Sequence, residues 1–277
     1  MSARLDQIRI GFVGGGAMGE ALAAGVLAAG VPASKVRAAD PDPARRKQLE
    51  QALGIEASPD NASVVAASDL VVLAVKPGLV GPALAALGGA AAPALSRPLW
   101  VSIAAGVPLA ALSKALPAGA RVVRAMPNTP ALVRSGATAF VAGEGCGDRD
   151  RALARALFEG VGMAWEAPAE ALLDAVTGLS GSGPAYVFVF LEALSDAGVR
   201  VGLPREAASA LAVQTVLGSA RLAQETGRHP ATLRDQVTSP GGTTLAGLER
   251  LEAGGFRAAV HEAVAAATRR SKELAGS

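Results

Sequence analysis

Residues 8–19 read Ile-Arg-Ile-Gly-Phe-Val-Gly-Gly-Gly-Ala-Met-Gly, and this stretch decides the fold. An apolar strand runs into the spacing Gly14-x-Gly16-x-x-Gly19, and a helix rich in Ala and Leu follows at once. That order predicts a dinucleotide-binding βαβ unit. In such a unit Gly14 permits a tight turn, and Gly16 lets the backbone approach a pyrophosphate. Gly19 lets the helix pack closely on the strand.

Strands alternate with helices beyond this unit. Further strands are expected at 36–39, 71–75, 100–103, 121–124 and 137–141. The continuous apolar run at 71–75 is typical of a parallel strand that is covered on both faces. Alternation of this kind implies right-handed crossovers and a Rossmann-type, doubly wound parallel sheet of the α/β class.

The second part of the chain has a different pattern, because long helical stretches replace the strands. Helices are expected at 169–179, 184–200, 204–226, 230–237, 244–254 and 256–274. We therefore predict two domains. They are a dinucleotide-binding Rossmann domain over 1–167 and an all-helical domain over 168–277.

The helix expected at 184–200 is apolar on almost every side, because residues 186–191 are all aliphatic or aromatic. A helix of this composition is buried all round. Burial against a second copy of the chain would make a homodimer. The alternative is a central helix in a monomeric bundle.

Composition excludes several classes of protein. Of the 277 residues 51% are apolar and 18% are charged, which rules out intrinsic disorder. Since aromatic residues make up 3% and the net charge is +2, nucleic-acid binding is not expected. One cysteine and two distant histidines predict neither a disulfide nor a metal site. No apolar run reaches the ~20 residues of a membrane span and no signal-peptide pattern is present, so a soluble cytoplasmic protein is expected.

Asp40 ends the second expected strand, about 20 residues after the glycine motif, where an acidic side chain accepts hydrogen bonds from the adenosine ribose. A carboxylate there favours NADH over NADPH, whose 2′-phosphate it would repel. Arg45 and Arg46 lie one helical turn further on and would pair with such a phosphate. The alternative for these arginines is a solvated helix face. The expected cofactor is therefore NADPH or NADH, with the choice left open.

Three loops follow expected strands, at the edge of the sheet where open α/β folds bind ligands: 75–78, 102–106 and 126–130. Lys76 faces the nicotinamide or the substrate in one interpretation and solvent in the other. Asn128 contacts the nicotinamide carboxamide in one interpretation and stabilises its own turn in the other.

Residues 237–248 read Val-Thr-Ser-Pro-Gly-Gly-Thr-Thr-Leu-Ala-Gly-Leu, a tight turn that leads into a helix. Several backbone N–H groups would point to one spot in front of this helix, which suits a carboxylate or a phosphate. Thr243 and Thr244 stand in its first turn, where a hydroxyl caps the backbone or binds a ligand. The alternative is an ordinary capped helix start. A second glycine-rich segment, 178–184, offers close backbone approach to a small polar ligand or, alternatively, a helix N-cap.

Together these motifs resemble the pyrroline-5-carboxylate reductase family, whose members catalyse the last step of proline synthesis. The matching segments are 12–19, 74–77, 102–106, 124–130, 174–186 and 237–248. They are spread over nearly the whole chain. The last two are specific to this family, whereas many dehydrogenases share the glycine motif.

The resemblance implies a Rossmann domain followed by a helical domain that dimerises and binds substrate. It implies hydride transfer from NADPH or NADH to the C=N carbon of 1-pyrroline-5-carboxylate, which gives L-proline. It also implies a homodimer, with assembly beyond the dimer left open. A protonated imine is already electrophilic, so no acid–base pair is required, and the sequence offers no candidate His/Asp pair.

The expected site residues come from the motifs and the resemblance together. Those at the cofactor are Gly14, Gly16, Ala17, Met18, Gly19, Asp40, Asn61, Ala74, Val75, Lys76, Pro77, Ala104, Ala105, Met126, Asn128 and Gln236. Those at the substrate are Glu170, Ser239, Gly242, Thr243 and Thr244. Thr244 and Lys76 are expected to be catalytic, and the resemblance brings the Thr244 hydroxyl near the ring nitrogen. Asn61, Glu170 and Gln236 enter through the resemblance alone.

Two positions depart from the family pattern. Asp40 stands where some members have a serine that accepts the 2′-phosphate, and Gln236 stands where an asparagine contacts the cofactor. Two other functions remain as alternatives. A 3-hydroxyacid-type dehydrogenase needs a lysine base early in its helical domain, and residues 169–199 contain no lysine. A non-catalytic dinucleotide-sensing protein would bind the cofactor without turnover.

Overall fold

The computed structural model of the chain describes residues 4–87 and 95–275. Among these, eight strands form one sheet in the order β3-β2-β1-β4-β5-β6-β7-β8. The strands are β1 (Ile10–Val13), β2 (Val36–Ala39), β3 (Glu56–Ser58), β4 (Leu70–Leu73), β5 (Leu99–Ser102), β6 (Arg121–Met126), β7 (Gly136–Ala142) and β8 (Gly162–Glu166). The strand order changes direction at β1, and ligands bind outside the carboxyl ends of the strands at such a point.

Helices follow most of these strands and then make up the rest of the chain. In the described residues they are α1 (Ala17–Ala28), α2 (Pro43–Leu53), α3 (Asn61–Ala66), α4 (Val80–Ala85), α5 (Leu109–Ala115), α6 (Asp148–Glu159), α7 (Leu172–Val176), α8 (Gly183–Arg200), α9 (Arg205–Thr226), α10 (Pro230–Gln236), α11 (Thr243–Ala253) and α12 (Phe256–Ala275). A π-helical turn, Thr177–Gly181, separates α7 from α8. The expected Rossmann-type fold followed by helices is confirmed.

The sheet is parallel except at one pair, since β6 and β7 run antiparallel. The expected doubly wound parallel sheet is therefore confirmed for the other strand pairs, and this one pair departs from it. The reason is the length of the connection, residues 127–135, which contains a single short 3₁₀ helix, Thr129–Val133. A parallel neighbour needs a crossover of a dozen or more residues, so this shorter segment returns the chain in the opposite direction.

Both edge strands, β3 and β8, are absent from the expected set. β3 has only three residues, and β8 alternates between exposed and half-buried side chains. Neither strand is a continuous apolar run, because each has a neighbour on one side only. The other six strands lie within two residues of their expected bounds.

The core has two layers, one on each face of the sheet. Helices α1, α2 and α6 bury apolar side chains against one face, where Phe12, Phe140 and Phe158 are fully buried. Helices α3, α4 and α5 cover the other face around Trp100, whose indole N–H donates to the Leu95 carbonyl at 2.8 Å. The central strands are thus buried on both sides, which fixes their carboxyl ends as a rigid edge.

Two compact units make up the chain. The first contains the residues up to Gly181 together with those from Ala267 onward, and the second is Ser182–Ala266. Within the second unit α8 packs on α9, where the Ser195 and Ser209 hydroxyls lie 2.9 Å apart. The domain boundary at 167/168 stays a prediction.

In the single chain α8 is not buried all round. Val187, Phe188, Val189 and Phe190 are exposed, and 63% of the Phe188 surface is accessible. These side chains do not form the centre of a monomeric bundle. Exposed apolar patches of this kind are typical of surfaces that a partner covers. No helix in the described part of the chain has the length and apolar character needed to cross a membrane.

Candidate active site

The glycine motif forms the turn between β1 and α1. Gly14 has φ of +98°, and a Cβ there would lie 2.8 Å from the Ala74 carbonyl. A Cβ at Gly19 would lie 2.5 Å from the Gly14 oxygen, so this glycine permits close packing of helix on strand. At Gly16 an added Cβ would meet no atom within 4 Å. The backbone at Gly16 therefore borders open space.

That open space lies in front of the N-terminus of α1. Gly16 is the N-cap residue and provides no side-chain cap, so the N–H groups of Ala17 and Met18 have no partner from a capping side chain. Uncapped N–H groups and the helix dipole together favour an anion. The turn thus has the open space and the positive electrostatic potential that a dinucleotide pyrophosphate requires.

Asp40 lies beside this turn, directly after β2. Its Oδ2 accepts from the Gly15 N–H and its Oδ1 from the Asp42 N–H, both at 2.9 Å. The carboxylate therefore holds the glycine turn in place. Each carboxylate oxygen can accept a further hydrogen bond, so a ribose hydroxyl remains compatible with this arrangement.

Arg45 and Arg46 bend back onto the same turn instead of extending into solvent. Arg45 Nε donates to the Gly15 carbonyl, and its Nη2 pairs with Glu20 Oε2 at 2.5 Å. Arg46 Nη1 donates to the Asp40 carbonyl at 2.9 Å. The ion pair of Glu20 with Arg45 is not predicted from the sequence, because the two residues lie on different helices and the sequence shows only that Glu20 is in the first turn of α1. These contacts leave the choice between NADPH and NADH open.

Asn61 occupies the first position of α3, the helix after β3. Asp60 caps this helix by accepting from the Ala62 and Ser63 N–H groups at 2.9 and 3.1 Å. The Asn61 side chain makes no hydrogen bond within the described residues and is half-buried. Its amide remains available to a ligand, and its adenosine role stays a prediction.

The loops after β4 and β5 lie side by side at the carboxyl edge of the sheet. The Ala74 N–H donates to the Val13 carbonyl at 2.8 Å, which ties the start of the β4 loop, with Val75 and Pro77, to the end of β1. Lys76 is exposed and precedes the short 3₁₀ helix Pro77–Leu79. After β5, Ala104 is buried and Ala105 is exposed. The ends of these loops thus supply small side chains and one lysine.

The loop after β6 is tied to its surroundings by Asn128. The Asn128 Oδ1 accepts from the Ala137 N–H at 2.8 Å, and Nδ2 donates to the Ser180 carbonyl at 3.0 Å. The Met126 side chain contacts Gly181, where an added Cβ would lie 2.7 Å from Met126 Cε. The two interpretations of Asn128 are contact with the nicotinamide carboxamide and stabilisation of its own turn, and neither includes this link over 52 residues.

Glu170 has structural partners on two elements. Its Oε1 accepts from the Leu109 N–H and from Arg124 Nη1, both at 2.7 Å. Arg124 is 6% exposed, so the ion pair compensates a buried charge on β6. Beside this pair lies an open cavity of about 610 Å³, lined by α5 and by the Gly143–Gly145 loop. The substrate role of Glu170 stays a prediction.

In the second unit, the turn before α11 has an open N-terminus. The Gly242 N–H donates to the Ser239 carbonyl at 3.0 Å, and Gly241 has φ of +64°. Gly242 is the N-cap and offers no side-chain cap, so the alternative of an ordinary side-chain cap does not describe this helix. Thr244 is half-buried and Thr243 is exposed.

The other expected residue of this unit is Gln236, the last residue of α10, which is exposed. Among the described residues, no group of three or more His, Cys, Asp and Glu side chains could hold a metal ion. The single cysteine, Cys146, is buried, and desolvation raises the pKa of its thiol. It is therefore protonated and unreactive at neutral pH.

Two family models match the chain. The model "Pyrroline-5-carboxylate reductase dimerisation" covers residues 170–274, and "NADP oxidoreductase coenzyme F420-dependent" covers residues 9–106. The first lies in the helical half and the second in the half with the glycine motif.

A pyrroline-5-carboxylate reductase of Synechocystis is 49% identical over 268 residues, which cover 96% of this chain and 98% of that protein. The structure of a pyrroline-5-carboxylate reductase from Coxiella burnetii is 37% identical, with a TM-score of 0.91 over 96% of this chain and 98% of that one. The Plasmodium falciparum pyrroline carboxylate reductase with NADP bound is 32% identical, with a TM-score of 0.85 over 98% and 99%. Such similarity over full length, together with the fold and motifs above, means that the chain belongs to the pyrroline-5-carboxylate reductase family.

Proposed function

We propose that this chain reduces 1-pyrroline-5-carboxylate to L-proline with NADPH or NADH, the last step of proline biosynthesis. The observation that carries the proposal is the open space at Gly16, in front of an uncapped helix, in a chain of this family. Its similarity to a Plasmodium falciparum reductase with NADP bound supports the same cofactor class.

The first unit would hold the cofactor along the carboxyl edge of its sheet. The turn around Gly16, with Gly14, Gly19 and the N–H groups of Ala17 and Met18, would bind the pyrophosphate. Asp40 and Asn61 would face the adenosine. The residues proposed for the nicotinamide end are Ala74, Val75, Lys76, Pro77, Ala104, Ala105, Met126 and Asn128. Gln236 is proposed as a further contact.

The turn before α11 would bind the substrate carboxylate through the backbone N–H groups that follow Gly242. Ser239 and Thr243 would add hydroxyls to the same anion site, and Glu170 is proposed on the substrate side. Thr244 would orient the imine nitrogen through its hydroxyl. Lys76 is proposed as a second catalytic group near the reacting atoms.

A dihydronicotinamide bound there would supply the hydride that reduces the C=N carbon. The protein would contribute chiefly by holding the two reactants in the correct geometry, which is worth about 7–11 kcal/mol in well-oriented reactions. A protonated imine needs no further activation, so the lack of a His–Asp pair among the proposed residues is compatible with this reaction.

The family model for dimerisation supports a homodimer formed by the helical part of the chain. We further propose that the enzyme acts in the cytoplasm. Light scattering on the purified protein would test whether dimers assemble further, and cell fractionation would test the location.

Purified protein mixed with 1-pyrroline-5-carboxylate tests the proposed activity directly. The expected result is oxidation of NADPH or NADH with formation of an equal amount of L-proline, followed by absorbance and amino-acid chromatography. Binding of dinucleotide without oxidation of either form would favour the sensor alternative. Oxidation of a 3-hydroxyacid under the same conditions would favour the other dehydrogenase class.

A further inference from the structure

The π-helical turn Thr177–Gly181 is stabilised by side chains that compensate its irregular backbone. The Thr177 hydroxyl donates to the Leu173 carbonyl at 2.8 Å, and the Ser180 hydroxyl donates to the Val176 carbonyl at 3.1 Å. Single π-helical turns are rare and occur frequently at functional sites. This one lies at the carboxyl end of β6, beside the proposed nicotinamide end of the site.

Asn128 joins this turn to the sheet. Its Nδ2 donates to the Ser180 carbonyl, while its Oδ1 accepts from the Ala137 N–H at the start of β7. The residue is 9% exposed. Because both ends of the amide are engaged inside the protein, the side chain is better suited to hold the turn than to bind a ligand.

A second contact links the turn to the end of β6. An alanine Cβ at Gly181 would lie 2.7 Å from Met126 Cε, so glycine lets the flexible end of Met126 rest here without shifting. Methionine has three rotatable bonds and adopts the position that its neighbours dictate. The placement of the turn therefore sets the placement of Met126, which is among the residues proposed at the nicotinamide.

We propose that Asn128 is a positioning residue for hydride transfer. By holding Ser180 it fixes the Thr177–Gly181 turn, and through Gly181 it fixes Met126 against the nicotinamide end of the site. This inference rests on the proposed function and assigns Asn128 a role different from direct contact with the carboxamide.

Asn128→Asp tests the bond to the turn selectively. The variant keeps an oxygen for the Ala137 N–H and loses the donor to Ser180. We expect turnover to fall by at least about tenfold while the Kd of NADPH changes by less than about threefold. The primary deuterium isotope effect on hydride transfer should rise, because a misplaced acceptor and donor slow the chemical step.

Two further variants make the test specific. Gly181→Ala would displace Met126 from the other side of the same contact, and it should show the same kinetic pattern. Because both changes act on one chain of contacts, the double variant should lose less than the product of the single losses. Ser135→Ala is the matched control, since it removes an exposed hydroxyl from the loop that follows Asn128 and should leave kinetics unchanged.

Amide hydrogen exchange tests, independently of turnover, whether Asn128 stabilises the turn. In the free Asn128→Asp protein, exchange should accelerate at Thr177–Gly181 and remain unchanged in β1. Unchanged exchange at the turn, turnover within about threefold of wild type, or equal losses in turnover and NADPH affinity would each overturn the proposal. A wild-type protein that oxidises neither cofactor would instead refute the proposed function. The exchange experiment would still test whether Asn128 holds the turn, because it does not depend on turnover.

Discussion

Gly14 and Gly16 belong to one motif, yet alanine should have different effects at the two positions. At Gly14 an added Cβ would clash with the Ala74 backbone. The φ of +98° there would in addition cost a non-glycine residue about 1–3 kcal/mol in backbone strain. At Gly16, φ is −60° and the space is open, so Gly16→Ala should fold normally. Its methyl group would nevertheless occupy space needed by the pyrophosphate.

We therefore expect Gly14→Ala to lower the melting temperature, and Gly16→Ala to raise the Kd of NADH and NADPH by at least about tenfold. Calorimetry and fluorescence titration separate the two effects. Normal dinucleotide binding by Gly16→Ala would contradict the proposed pyrophosphate site.

Thr244 is the residue whose hydroxyl we assign to the imine nitrogen. Thr244→Ala should lower turnover by at least about tenfold, because the loss of an orienting contact acts on the reacting geometry. The Kd of the dinucleotide should stay the same. Thr215→Ala serves as control, since within the described residues that exposed hydroxyl bonds to the Leu211 carbonyl of its own helix, α9. Equal losses of turnover and dinucleotide affinity in steady-state kinetics and titration would refute this role for Thr244.

Asp40 should influence the choice of cofactor whatever the wild-type preference is. Asp40→Asn keeps an oxygen for the Gly15 N–H, loses the acceptor for the Asp42 N–H and removes a negative charge from the end of β2. Because the 2′-phosphate of NADPH is anionic, its affinity should rise relative to that of NADH by about tenfold. Asp42→Asn is the matched control, since Asp42 caps α2 and asparagine caps equally well. A ratio of Kd values that does not move, in calorimetric titrations, would place the ribose elsewhere.

At the scale of secondary-structure elements, the sequence predicts strands and helices that have a regular apolar pattern. It does not predict short edge strands or contacts between residues that are distant in sequence. Both ends of α9 and the start of α10 are predictable because proline and glycine mark them, at Pro204, Gly227 and Pro230. The edge strands β3 and β8 are not predictable, since they lack the apolar run of a doubly covered strand.

The candidate site divides in the same way. The glycine turn is predictable because backbone geometry demands glycine at fixed spacing. The bonds of Asn128 to Ser180 and of Arg124 to Glu170 are not predictable, since they join residues 52 and 46 positions apart. No local pattern records such partners, and only the folded sheet brings them together.

Arg9 and Asp69 join the amino ends of β1 and β4, and they make one part of the fold sensitive to pH. Asp69 Oδ1 accepts from Arg9 Nη2 at 2.9 Å, and this hydrogen bond holds the pKa of the carboxyl below its usual range. The stabilisation is present above the unfolded pKa of about 4 and is lost as the pH falls through the lower folded value. Since the Asp69 side chain is 36% exposed, solvent screening keeps the contribution below about 1 kcal/mol.

Asp69→Asn should therefore be less stable than wild type at neutral pH, and the difference should shrink towards zero below about pH 4. Urea unfolding measured over this pH range checks the trend. A difference that stays constant with pH would show that the charge of Asp69 does not contribute.

At the scale of the whole molecule, the helical half exposes more apolar surface than an isolated chain should. On α8 the exposed side chains include Phe188 and Val189, and on α9 they include Leu211 and Leu217. An apolar cleft of about 510 Å³ also lies between α8, α11 and α12. Patches of this kind mark interfaces, and the dimerisation model spans all of these helices except the final residue of α12.

Phe188→Asp should convert the dimer to monomers at micromolar concentration, because a charge in an apolar interface costs several kcal/mol when it is desolvated without a partner. Sedimentation velocity measures the change in mass. Met163→Asp is the control, since Met163 is 55% exposed and lies on β8, outside residues 170–274. If Phe188→Asp remained dimeric while Met163→Asp dissociated, the interface would lie on the sheet edge and the exposed face of α8 would need another partner.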